Sequence, residues 1–106
     1  MGIIFGAMSL TDAEQLRAAR SMTGLTQAEL AEKSGVSLPT IKRLELGRGL
    51  LPVRLATLLK LQHALETAGV EFIAAGSDAG PGLRLKKPEL KLIPDRSDRR
   101  LAKRSV

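Results

Sequence analysis

The chain has 106 residues, with 17 Lys+Arg against 11 Asp+Glu, one His, and no Cys, Trp or Tyr. That length accommodates one compact domain, and without cysteine there is no disulfide, thiolate zinc site or thiol nucleophile. The formal charge of +6 attracts polyanions, but residues 84–106 hold nine basic side chains against three acidic ones, leaving residues 1–83 with eight of each. The headline charge belongs to the tail and does not describe the folded part.

Residues 1–10 read as a leader expected to be disordered. The opening MGIIFGAM is apolar, but it has neither the basic flank nor the small-residue cleavage site of a secretory signal. Met1-Gly2 is followed by Gly6 where a myristoylation motif wants Ser or Thr. An upstream start with Met8 as a second candidate is one explanation of this stretch, and an apolar arm that docks on a partner chain is the other. No apolar run approaches the roughly 18 residues of a membrane span, so the reading is a cytoplasmic protein.

Residues 11–69 carry four helices. The first opens at Thr11, with Glu14 three residues on as a capping box; its apolar face is Ala13, Leu16 and Ala19, and Gly24 ends it. The second, over 26–34, repeats the device with Thr26 and Glu29, packs Leu30 and Ala31, and stops at Gly35. The third, over 37–46, takes Ser37 as its N-cap and tolerates Pro39 in the first turn, where an amide has no intrahelical acceptor anyway. It buries Ile41 and Leu44 and ends at Gly47. The fourth follows Pro52, presents Leu55, Leu58, Leu59, Gln62 and Leu65 at helical spacing, and stops at Gly69.

The period then changes from 3.6 to 2. Residues 70–75 and 83–86 read as the strands of a hairpin spanning 70–87. A lone hairpin is marginal in water, so Val70, Phe72, Leu83 and Leu85 must cover the helical core or a second subunit. Residues 88–106 form a charged tail expected to be disordered, which is plainly solvated, a non-specific DNA-binding arm, or a site for proteolysis or partner contact. It has no aromatic residue for base stacking.

The stretch 24–47, GLTQAELAEKSGVSLPTIKRLELG, carries the most information. Ala31 is small where the third helix crosses the second, Gly35 makes the turn, and Val36, Ile41 and Leu44 form the wedge that locks two helices together. That is a helix-turn-helix, which presents its second helix to the DNA major groove. Residues 37–54 add Lys42, Arg43, Arg48 and Arg54 against Glu45, a local +3 inside a neutral segment.

Thr26-Gln27, Leu30-Ala31, Gly35-Val36-Ser37, Ile41 and the Leu44-Glu45-x-Gly47 ending resemble the Xre/Cro/phage-repressor helix-turn-helix family, over roughly residues 11–68. The resemblance implies a mainly α, four-helix, lambda-repressor-like DNA-binding domain, here followed by the hairpin and tail. It also implies roles. Gln27 lies near the phosphate backbone, and Ser37 and Thr40 bond phosphates or base edges. Leu38, Pro39 and Arg43 face base edges, with Lys42 beside them, and Arg48 grips the backbone. Arg43 suits guanine O6 and N7, whereas Leu38 and Pro39 depart from the usual polar choice and offer only apolar contact. Arg20 and Glu45 match positions that pair as a structural ion pair.

Other residues read more plainly. His63, the only histidine, lies between apolar positions of the fourth helix as a surface or packing group. Asp12 and Glu14 are solvated helix-start charges. Ser34 and Ser37 have no histidine nearby in the sequence, and Gly47-Arg48-Gly49 is a lone GxG. Leu50, Leu51 and Leu61 are core or part of a dimer patch. No catalytic residue, metal, cofactor or small-molecule ligand is expected.

The expected function is a sequence-specific double-stranded DNA-binding transcriptional regulator, nucleoid-associated, acting as a homodimer on half-sites about 34 Å apart. A single module buries too little surface for high specificity, and the hairpin is the candidate for joining subunits. The alternative keeps the fold but sequesters a protein partner, as an antitoxin or antiactivator, through Leu50-Leu51, Leu38 or the hairpin.

Overall fold

The computed structural model describes residues 9–86. The leader before Ser9 and the basic tail from Lys87 lie outside the described residues. Within them the order is α1 (Ala13–Thr23), α2 (Gln27–Ser34), α3 (Leu38–Glu45), α4 (Leu55–Thr67), β1 (Val70–Ile73) and β2 (Gly82–Leu85). Four helices and a following antiparallel hairpin are the expected fold.

The helix punctuation follows local chemistry. Thr26 Oγ1 accepts the Glu29 N–H at 3.0 Å while Glu29 Oε1 accepts the Thr26 N–H at 2.9 Å, a reciprocal cap. Gly24 and Gly35 close α1 and α2 in the left-handed region, each at φ 78°, which costs glycine nothing. Ser37 caps α3, with Oγ accepting the Thr40 N–H at 3.3 Å. That helix ends at Glu45, with Leu46 as its C-cap, two residues before the expected stop at Gly47.

The start of α1 is a correction. Its N-cap is Asp12, not Thr11, and the reciprocating side chain is Gln15, not Glu14. Gln15 Oε1 accepts the N–H groups of Thr11 and Asp12 at 2.8 and 3.0 Å. Its Nε2 donates to the carbonyls of Ser9 and Gly82 at 3.0 and 2.9 Å. An amide both accepts and donates in this way, whereas an ionised carboxylate in its place could only accept. Glu14 turns outward instead and accepts the Gly49 N–H at 3.0 Å. That bond, helped by Arg17 and Arg48, holds its carboxyl below the usual carboxylate range.

The core gathers Leu10, Leu16, Leu30, Ile41, Leu44, Leu61, Leu65 and Val70, all essentially sealed from solvent. On α4 the buried stripe is Leu58, Leu61, Gln62 and Leu65, the i, i+3, i+4, i+7 face of a packed helix. Leu61 is therefore core, while Leu55, expected on that face, is 51% exposed in the first turn. Gln62 Oε1 accepts the Leu10 N–H at 2.8 Å, so two buried glutamines pin residues 9–12 across the helices.

The strands pair antiparallel in the register Val70–Leu85, Glu71–Arg84, Phe72–Leu83 and Ile73–Gly82, with β1 shorter than the expected 70–75. Val70 and Phe72 point into the core. Leu83 packs partly against it, but Leu85 is 57% exposed although its partner Val70 is sealed, because it is mainly β1, not β2, that packs against α4. The outer face carries the Arg84–Glu71 pair, 3.0 Å from Nε to Oε1.

Candidate nucleic-acid interface

The turn Gly35-Val36-Ser37 sets α3 against α2. Val36, Ile41 and Leu44 are buried, so one side of α3 is fixed in the core. The opposite side holds Pro39, Lys42 and Arg43, all exposed, with Leu38 and Thr40 half-buried on its flanks. Among the described residues neither the Lys42 nor the Arg43 side chain has a hydrogen-bond or ion-pair partner. Two exposed cations on one face of a packed helix form a positive surface that no acidic side chain among the described residues pairs with.

Ser37 and Thr40 sit at the start of α3 as a coupled pair. Ser37 Oγ donates to Thr40 Oγ1 at 2.8 Å while accepting the Thr40 N–H. The Thr40 hydroxyl thereby becomes an acceptor toward Ser37 and keeps its own proton to give outward.

Beneath the C-terminal half of α3 lies a cluster that fixes the helix. Arg20 donates from Nε to Glu45 Oε2 at 2.7 Å and from Nη2 to Oε1 at 2.9 Å, a two-pronged pair. The Glu45 side chain is 6% exposed and that of Arg20 27%. The bond to Glu45 raises the Arg20 pKa above its ordinary value. Gln27 Nε2 also donates to Glu45 Oε1, at 2.9 Å, and Arg20 Nη1 reaches the Leu25 carbonyl at 3.1 Å. The residue expected at the phosphate backbone, Gln27, is thus half-buried and tied to α3, with one amide N–H left over. Arg20, Glu45 and Gln27 together bind α1, the start of α2 and the end of α3 into one unit.

Arg17, which no motif in the sequence marks, braces the end of α3. Its Nη1 donates to the carbonyls of Glu45 and Gly47 at 2.8 and 2.7 Å. A cation there meets the unsatisfied carbonyls at the C-terminus of α3. The following loop carries the exposed Arg48 and is laced to α1, with Ala13 N–H donating to Gly49 O at 2.8 Å and Leu51 N–H to Thr11 O at 2.9 Å. Leu51 is buried and Leu50 is 77% exposed, which divides a pair the sequence treated together.

Two sequence features stay apart from this surface. His63 is exposed on α4, beside Lys33 and Thr67 in a shallow hollow. Among the described residues no group of three or more His, Asp or Glu side chains could hold a metal ion, and no helix is long and apolar enough to cross a membrane.

The geometry agrees with the comparisons. A family model described as a helix-turn-helix domain matches residues 13–72, more than half of the chain. No curated protein matches. The matched span begins at the first residue of α1 and ends in β1, so it takes in the Arg20–Glu45–Gln27 cluster, the Gly35 turn and the exposed face of α3. The chain belongs to the helix-turn-helix domain family, the kind of domain to which the Xre/Cro resemblance pointed.

Proposed function

We propose that the chain is a sequence-specific double-stranded DNA-binding transcriptional regulator that lays α3 in the major groove. The observation that carries this reading is the exposed, unpaired Lys42 and Arg43 on a helix whose other side is buried and whose C-terminal end is held by Arg20, Glu45 and Gln27. A reading head must be rigid, because loosely held side chains spend binding energy on ordering. Arg43 addresses guanine O6 and N7 with its fork, with Lys42 beside it. Thr40 and Ser37 meet phosphate or a base edge at the helix start, Gln27 offers its remaining N–H to the backbone, and Arg48 grips phosphate from the loop. Leu38 and Pro39 supply apolar contact.

Such a surface binds rather than catalyses, and it uses no cofactor. It acts on the nucleoid, in the cytoplasm, as a homodimer joined through hairpin edges, where Leu85 and the unpaired side of a two-stranded sheet find cover. The test is a mobility shift on the promoter duplex of the protein's own gene. Arg43→Ala loses about 1–3 kcal/mol and relaxes sequence preference, while deletion from Pro88 lowers affinity uniformly and flattens the salt slope.

One observation favours a second reading. Leu46 and Leu50 are 86% and 77% exposed, and apolar groups beside the recognition helix suit a protein partner sequestered by an antitoxin or antiactivator. Absence of any preferred DNA, together with a tightly co-purifying protein, selects that reading.

A further inference from the structure

The outward face of α3 includes a side chain that charge does not explain. Leu46 caps the helix in right-handed conformation, φ −78° and ψ −15°, so the helical phase runs through it. Pro39, Lys42, Arg43 and Leu46 therefore stand at i, i+3, i+4 and i+7 on one face, opposite the buried Ile41 and Leu44. At 86% exposure, Leu46 is more open than any other large hydrophobic side chain among the described residues. A single exposed leucine is ordinary on a protein surface. This one completes the face that the DNA-binding reading lays along the groove, next to two unpaired cations.

A saturated side chain cannot bond a phosphate or a base edge. The apolar feature that the major groove offers is the thymine C5-methyl. We infer that Leu46 is a specificity-determining residue that packs against a thymine methyl, an inference that rests on the DNA-binding reading above. Leu46 lies seven residues beyond Pro39, about 10.5 Å along the helix axis, and about one turn beyond Arg43, so the thymine lies beyond the pair that Arg43 reads, on the side of the C-terminus of α3.

The experiment uses a duplex selected by the full-length chain from a random pool. Each thymine is replaced singly by deoxyuridine, which keeps every hydrogen bond and removes one methyl, and binding is measured for wild type and for Leu46→Ala. Because Leu46 faces solvent, the variant keeps the wild-type thermal midpoint, which is measured alongside. At one thymine the replacement weakens wild type about fourfold, the scale of one buried methyl-sized group, and leaves Leu46→Ala unchanged. If every thymine responds alike in both proteins, Leu46 reads no methyl and the inference falls while the DNA reading stands. If the pool yields no preferred sequence, the DNA reading fails and takes this inference with it.

Discussion

The Arg20–Glu45 pair makes an asymmetric prediction about stability. In Arg20→Leu, Glu45 stays behind with its side chain 6% exposed and the Gln27 amide as its one side-chain donor among the described residues. Breaking a buried pair by removing one partner costs about 3–5 kcal/mol, and the surviving Gln27 bond places this variant near the lower end, about 3 kcal/mol. In Glu45→Leu the stranded group is Arg20, 27% exposed and still bonded to the Leu25 carbonyl at 3.1 Å. Water screens that charge, and the loss is about 2 kcal/mol. The double variant strands no charge, so its cost is well below the summed single losses, with a coupling of about 2–3 kcal/mol. For a domain of this size, 3 kcal/mol lowers the midpoint by on the order of 12–24 °C. Urea unfolding followed by far-UV circular dichroism, with all four proteins sharing one m-value, gives the cycle. A loss below about 1 kcal/mol for Arg20→Leu, or single losses that add fully in the double variant, refutes the reasoning.

Three further outcomes follow from the same contacts. Gln15→Leu removes the bonds that Gln15 makes to the Thr11 and Asp12 amides and to the Ser9 and Gly82 carbonyls; it costs about 2–4 kcal/mol, and hydrogen exchange at β2 speeds up more than exchange at α3. Ser37→Ala removes the N-cap of α3, lowers stability by about 1 kcal/mol in chemical unfolding, and frees Thr40 from its hydroxyl partner. The Glu14 carboxyl is held low chiefly by the Gly49 N–H, so its contribution is fully present above the ordinary carboxylate value and fades as pH falls through the lowered one. Stability of wild type and Glu14→Gln therefore differs at pH 7 and converges under strongly acidic conditions, read from parallel unfolding curves.

What was legible in the sequence was local. Thr26 with Glu29, Ser37 with Thr40 and the left-handed Gly24 and Gly35 involve partners within a few residues, where residue type alone decides which group meets which. The wedge of Val36, Ile41 and Leu44 followed from spacing for the same reason. The start of α1 is ambiguous in the sequence because Thr11–Glu14 and Asp12–Gln15 both fit the capping-box pattern. The carbonyl that favours Gln15 belongs to Gly82, 67 residues away. Arg17 reaches its acceptors across 28 and 30 residues, and no sequence window contains both ends of that contact. Leu46 carries no charge to mark it beside Lys42 and Arg43, although its i+7 spacing from Pro39 places it on the same face. Leu85 alternates correctly for a buried strand position, yet strand period does not reveal which of the two strands lies against α4.

The account as a whole turns on whether α3 meets DNA with its exposed face. Backbone amide NMR of the full-length chain, titrated with a duplex chosen by in vitro selection, addresses this directly. The account predicts that shift changes concentrate at Gln27 and across residues 37–48, and that Arg43→Ala weakens the titration while keeping the free-protein spectrum of the core. Changes confined to residues 70–86, or no change on residues 37–48 at low salt, would contradict it.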